Sequence, residues 1–251
     1  MLSDDELLRY SRQILLPQID VDGQLRLKQA RVLVVGLGGL GSPVALYLAA
    51  AGVGELHLAD FDALEVSNLQ RQILHDTPAL GQAKADSALA RLQALNPLVR
   101  VQAHRQRLDS ESLPALVGQV DLVLDCCDNF ATREALNAAC VAQGRPLVSG
   151  AAIRLQGQLT VFDPRQTDSP CYHCLYGEGA EAELTCSEAG VVGPLVGLVG
   201  CLQALEALKL LAGFGEPLIG RLLLVEGLTS RFRELRLKRD PQCPVCGDRH
   251  A

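Results

Sequence analysis

RVLVVGLGGLG, residues Arg31 to Gly41, is the stretch whose reading decides the fold. A run of aliphatic residues, mostly β-branched, leads straight into Gly36-Leu37-Gly38-Gly39-Leu40-Gly41, and a small-residue helical segment follows. This is the pattern of a buried strand, a glycine turn and a helix N-terminus, the place where an α/β sheet holds phosphate. Glycine lets the backbone approach an anion with no Cβ in the way, and the first N–H groups and dipole of the helix point at it. The expectation is a nucleotide at this turn, against the plainer reading of a tight strand–helix connection. The turn alone does not separate a nicotinamide dinucleotide from ATP.

Working outward, Ser42 to Ala51 reads as a helix of small residues ended by Gly52-Val53-Gly54, and Glu55 to Asp60 (ELHLAD) as the second strand. An acid at that strand end, about 20 residues past the first glycine, suits ribose hydroxyls, which makes Asp60 the candidate and Asp62 the alternative. The rhythm continues with a helix over Ala83–Leu95, a strand over Val99–Ala103, a helix over Ser110–Val117, a strand over Val120–Asp125, a helix over Ala131–Ala142 and a strand over Pro146–Ser149. Such alternation specifies an α/β fold: a Rossmann-like, mostly parallel sheet with helices on both faces. It breaks at Ile153–Phe162, which alternates as one half-exposed strand. With Leu222–Val225 and Phe232–Leu237 it is expected to form antiparallel C-terminal strands. Ahead of the first strand, Ser3-Asp4-Asp5-Glu6 fits a capping box and Gly23–Ala30 a second helical run, so residues 1–30 read as a helical arm.

Ligands of an open α/β sheet gather at the carboxyl ends of its strands, so Asp60 and Asp128 should share a rim with the glycine turn. Asp128 could hold Mg2+ against triphosphate oxygens, or it or Asn129 could simply cap the next helix. The segment Val66–His75 carries Ser67, Asn68, Gln70, Arg71 and Gln72, a polar cluster that a dehydrogenase gives no reason for. Lys84 stands in the first turn of its helix, unfavourable to the dipole, and an anionic ligand would explain it.

The net charge of -6 argues against a broad nucleic-acid surface. The uncharged stretch Ala189 to Leu205 contains Gly and Pro and falls short of the about 20 residues of a membrane span. An acidic, polar N-terminus is no export signal, so the nine cysteines are expected as reduced thiols or metal ligands in the cytoplasm. Cys171-Tyr172-His173-Cys174 and Cys243-Pro244-Val245-Cys246 form two CxxC knuckles, a thiolate set that completes a tetrahedral, structural zinc site. They stand about 70 residues apart, far beyond the 15–20 of a zinc ribbon, so the metal would staple the tail (239–251) to the loop 163–190. Gly177–Gly190 reads as a mobile loop, and its single thiol, Cys186, as either inert or a nucleophile.

RYSRQILL at Arg9–Leu16, GLGGLG at Gly36–Gly41, DFD at Asp60–Asp62, SNLQRQ at Ser67–Gln72, Lys84, DCCDN at Asp125–Asn129 and the two knuckles together resemble the MoeB/ThiF/HesA family, relatives of the adenylation domain of ubiquitin-activating enzymes. The resemblance spans nearly the whole chain and implies a single adenylation domain over 1–251. One departure is Cys127, where the family more often has threonine. SGAAIRLQGQLTVF and LTCSEAGVVGPLVG are most similar to members that act on the molybdopterin-synthase small subunit. RYSRQILL and GVVGPLVG are equally similar to members that act on the thiamin sulfur carrier. The implied reaction is attack by the Gly-Gly carboxylate of a ubiquitin-like sulfur carrier on the α-phosphate of ATP, giving an acyl-adenylate and pyrophosphate. Also implied are nucleotide contacts from Gly36, Gly38, Gly39, Gly41, Asp60, Ser67, Asn68, Leu69, Gln70 and Asn129. Asn68, Arg71 and Lys84 would meet the phosphates and Asp128 would carry Mg2+. Arg12 would reach into the partner's site of a homodimer, and Cys186 matches a loop cysteine that only some members use. A nicotinamide-dependent oxidoreductase is the remote alternative.

Overall fold

In a computed structural model, residues 1–177 and 190–247 are described. One eight-stranded sheet organises them, in the order β3-β2-β1-β4-β5-β6-β7-β8. Its strands are β1 (Arg31–Val35), β2 (Glu55–Ala59), β3 (Arg100–His104), β4 (Leu122–Asp125), β5 (Leu147–Ile153), β6 (Gln156–Phe162), β7 (Arg221–Glu226) and β8 (Arg231–Arg236). The first five are parallel and the last three join antiparallel, as the broken rhythm of the sequence implies.

The helices are α1 (Asp4–Arg9), α2 (Ser11–Ile14), α3 (Asp20–Gln29), α4 (Gly41–Ala50), α5 (Lys84–Leu95), α6 (Leu113–Val117), α7 (Phe130–Gln143), α8 (Tyr172–Tyr176) and α9 (Gly193–Ala212). The capping box is formed: Glu6 N–H donates to Ser3 Oγ and Ser3 N–H to Glu6 Oε2. The period of two in β1 divides its side chains between two cores. Val32 and Val34 join one with α4, α5 and α9, while Leu33 and Val35 join the other with α6 and α7. All four are at most 5% exposed, so the strand is buried on both faces.

One expectation is corrected. Ile153–Phe162 is not one strand, because β5 runs on to Ile153 and the chain reverses at Arg154-Leu155 before β6. Arg154 takes a positive φ of 53°, an uncommon conformation for a non-glycine residue, so the turn carries no Gly, Asn or Pro signal. Tertiary hydrogen bonds hold it instead, from Arg154 N–H to the Gly190 carbonyl and from Gly227 N–H to the Leu155 carbonyl.

Helix α9 is 20 residues long with mean hydropathy 1.7 over its most apolar window, enough by length and composition to cross a membrane, and half of that window is buried inside the protein. It lies on the sheet and on α4, where Gly200 lets it come close: a Cβ there would stand 2.4 Å from the Leu40 carbonyl oxygen.

The glycine turn is equally tight. A Cβ on Gly41 would sit 1.9 Å from the Gly36 carbonyl oxygen, so Gly41 serves the close approach of α4 to the end of β1. Gly41→Ala is expected to lower stability by about 3 kcal/mol, the upper range of overpacking. Gly197→Ala in α9, where a Cβ meets nothing within 4 Å, should be neutral or stabilising. Thermal melts of the two variants compare them directly, and equal melting temperatures would refute the packing role of Gly41.

Candidate active site

A cleft of about 1130 Å³ opens at the carboxyl ends of β1, β2 and β4 and extends over the antiparallel strands. Gly36, Gly38 and Gly39 line its floor. The turn is held from below, where Asp60 Oδ2 accepts the Leu37 N–H at 2.8 Å and Oδ1 accepts the Asp62 N–H at 2.9 Å. Asp60 also lines the cleft, and burial pushes its carboxyl above the ordinary carboxylate value against the pull of Lys84 and the two N–H groups. Lys84, only 6% exposed, reaches over from α5 and pairs with Asp62 at 2.9 Å. The cation that suits its helix end poorly thus has a carboxylate partner, and both face the cleft.

Arg71 and Asp128 line the same space, Arg71 with Nη1 on the Ser67 carbonyl and Asp128 exposed at the end of β4. Asn129 is the residue that caps α7, accepting the Thr132 N–H at 3.0 Å, and it lines the cleft as well. Ser67, Asn68, Leu69 and Gln70 do not line it. Asn68 Oδ1 instead accepts the Glu65 N–H, closing a short turn over Val66–Asn68, and the Gln70 carbonyl packs against Gly193 at the start of α9. Gly41 is likewise turned to packing. Arg12 is exposed on α2 and stands apart from the cleft of its own chain. Cys186 lies outside the described residues.

Three side chains that the sequence does not single out, Phe130, Tyr176 and Arg133, line the cleft, and so does Gln72 of the polar cluster. Gln72, 4% exposed, lies under Gly38 and lines the cleft. Tyr176 and Phe130 meet edge to face, with ring centroids 6.3 Å apart, at the far end. Arg133 is buried under the DCCDN segment, bonded to Asp125, Ser149 and the carbonyls of Cys127 and Gly150. It stands near the start of α7, so the dipole mismatch that marked Lys84 marks this cation too.

The knuckles meet at one point. The four Sγ atoms of Cys171, Cys174, Cys243 and Cys246 lie within 4.8 Å of one another, with neighbours at 3.8, 3.7 and 3.4 Å. A tetrahedron of about 2.3 Å Zn–S bonds has edges of about 3.8 Å, so these residues could hold zinc. The Cys171 thiol, hydrogen-bonded to Cys174, draws that group well below the ordinary thiol value, and the Asp240 N–H also points at its sulfur. Cys174 therefore offers thiolate character, as a metal needs, while the hydrogen bond to Cys174 and burial raise the Cys171 thiol and burial raises that of Cys243.

Three histidines give the fold a pH dependence. His57 and His104 stack at 5.3 Å with Nδ1 and Nε2 3.1 Å apart, and His75 is 7% exposed. Burial holds each below the ordinary 6.5. Between those depressed values and 6.5 the unfolded chain binds more protons, so stability falls as pH drops below 6.5. Melting temperatures at about pH 7.5 and about pH 5.5 should show that fall, reduced in a His57→Gln/His104→Gln variant; an undiminished fall would exclude the pair.

The chain is 53% identical over 246 residues to the molybdopterin-synthase adenylyltransferase of Escherichia coli (strain K12), covering 98% of each. It is 50% identical over 250 residues to the sulfur carrier protein ThiS adenylyltransferase of the same organism, covering 100% of this chain and 99% of that one. A solved structure of E. coli MccB with ATP superposes with a TM-score of 0.80 at 25% identity, covering 90% of this chain and 70% of that chain. The model of the ThiF family matches residues 10–245. With its glycine turn, ringed cleft and cysteine clamp, the chain belongs to the ThiF family.

Proposed function

We propose that this protein is an ATP-dependent adenylyltransferase. It activates the C-terminal Gly-Gly carboxylate of a ubiquitin-like sulfur carrier, the small subunit of molybdopterin synthase, for molybdenum cofactor biosynthesis. The observation that carries this reading is the ring of Asp60, Arg71, Lys84 and Asp128 around one glycine turn. A carboxylate oxygen attacks the α-phosphorus of ATP. The bond from that phosphorus to the bridging oxygen of the β-phosphate breaks, pyrophosphate leaves with the electron pair, and an acyl-phosphate anhydride to AMP remains.

Two anions must approach, so charge neutralisation and in-line positioning supply most of the rate. Arg71 and Lys84 carry positive charge to the phosphates, Asp60 takes the ribose hydroxyls, and the backbone of the turn holds the adenosine side. Asp128, a hard oxygen ligand, would hold Mg2+, which when bound neutralises phosphate charge. Arg12, apart from its own cleft, serves the neighbouring site of a homodimer. The cytoplasm is the proposed compartment, where the cysteine set stays reduced for zinc.

With Mg-ATP and a carrier ending in Gly-Gly, labelled pyrophosphate should enter ATP. No exchange with any such carrier would overturn the reading. The thiamin carrier is the second candidate, supported by the 50% identity to its adenylyltransferase, and exchange rates with the two carriers decide between them. A dehydrogenase reading leaves Arg71, Lys84 and Asp128 without a use.

A further inference from the structure

The Leu37 peptide groups at the centre of the glycine turn are gripped from both sides. Asp60 takes the Leu37 N–H, and His75 Nε2 lies 3.0 Å from the Leu37 carbonyl oxygen. A carbonyl only accepts, so Nε2 carries the proton and donates it. Nδ1 is then the acceptor, and the Ser87 hydroxyl 2.9 Å away donates to it. At 7% exposure the ring has little water to take over either bond, and burial keeps it neutral.

The consequence reaches the cleft through the next peptide group. In a trans peptide the C=O and the following N–H point in opposite directions. Drawing the Leu37 carbonyl down onto His75 therefore turns the Gly38 N–H away from it, on the side where Gly38 lines the cleft. Among the described residues no protein group accepts that N–H. The same imidazole joins two other parts of the site. Its own segment carries Arg71 and Gln72, the latter lying under Gly38. Ser87 is on α5, three residues after Lys84, so the Ser87–His75 bond ties the helix that delivers Lys84 to the turn. His75 does not line the cleft and has no reach to a ligand.

We propose that His75 is a positioning residue for nucleotide binding, its neutral Nε2–H form fixing the Leu37–Gly38 peptide and the register of Lys84. The role rests on the ATP reading above. It predicts that the chemical form of residue 75, a donor to the Leu37 carbonyl, matters more than its bulk.

The test is ATP affinity by calorimetry on the full-length protein, with a thermal melt for each variant and KM and kcat in pyrophosphate exchange. His75→Leu fills the space without a donor and should weaken ATP binding about 10-fold or more, the scale of an unmade hydrogen bond at a buried group. The loss should appear in KM for ATP, with KM for the carrier unchanged. His75→Gln, whose amide N–H can reach the Leu37 carbonyl, should stay within about threefold of the parent. Ser87→Ala should weaken binding by a smaller factor and add nothing to His75→Leu, since the two act through one ring.

A folded His75→Leu protein with parental ATP affinity would overturn the proposal. So would a Gln variant no better than the Leu variant, which would mean that only packing matters. If His75→Leu does not fold, Ser87→Ala decides, and parental affinity there overturns it. Failure of the parent protein itself to bind ATP would be the failure of the nucleotide reading, a separate outcome.

Discussion

Asp128→Ala is expected to reduce pyrophosphate exchange by about 100-fold or more while the protein folds and melts as the parent does. The size follows from what the residue would do: it would hold the cation that neutralises developing phosphate charge, and losing one such electrostatic stabiliser typically costs about 10²–10³ in rate. The selectivity follows from its surroundings. Asp128 is exposed, and its side chain makes one long contact, 3.5 Å to its neighbour Asn129, so little stability depends on it. Asn129 caps α7, and the Asp128 carboxylate takes no part in that cap. Asp128→Asn keeps the shape and removes the charge. Loss of rate in both variants identifies a metal-holding or electrostatic role. Full activity in the Asn variant would reduce Asp128 to a hydrogen-bonding group, and undiminished exchange in Asp128→Ala would remove it from the reaction. ATP binding measured alongside separates chemistry from affinity, because the glycine turn remains intact.

The parts of this site that could be read in the sequence are those written as local pattern. The β1–turn–α4 unit is legible because strand period, glycine spacing and helix start fall within Arg31–Ala50. Asp60 and Asp128 are legible because strand ends in a parallel sheet share one rim. The two knuckles are legible as ligands, and their wide separation is legible as a staple. What was not legible depends on tertiary contact. The Arg154–Leu155 reversal carries no turn residue and is held by Gly190 and Gly227, which lie far along the chain. SNLQRQ reads as polar apart from Leu69, yet the local fold sends Asn68 and Gln70 away and Arg71 and Gln72 inward, a division set by the short turn at Val66–Asn68. His75 looked like the end of a polar run, and only the packing of α5 against the turn reveals its two partners. Arg133 does carry a local signal: as the fourth residue of α7 its cation is unfavourable to the helix dipole, as Lys84 is in the first turn of α5.

Arg133 carries the largest expected effect on stability. Its Nη1 lies 3.0 Å from Asp125 Oδ2, with Asp125 wholly buried, and its Nη2 donates to the carbonyls of Cys127 and Gly150. Burial opposes the guanidinium charge and the Asp125 carboxylate more than offsets it, so the side chain stays a cation. Removing one partner of a buried pair leaves the other charge uncompensated, a loss of about 3–5 kcal/mol. Arg133→Met preserves much of the volume and removes every donor. In a chain of this size that loss lowers the melting temperature by roughly 6–20 °C. Arg133→Lys retains the charge and cannot reproduce the fork, so it should fall between Met and the parent. The Ser149 hydroxyl, 2.7 Å from Asp125 Oδ2, and the Cys127 N–H, 3.1 Å from Oδ1, are the bonds that remain to the carboxylate in the Met variant, so Ser149→Ala should cost more there than in the parent. Because the same guanidinium holds the backbone at Cys127, one residue before Asp128, the folded fraction of Arg133→Met should also exchange pyrophosphate more slowly. A Met variant that melts with the parent would show that the Asp125–Arg133 pair contributes nothing to the fold, and that the end of β4 is set by its strand neighbours alone.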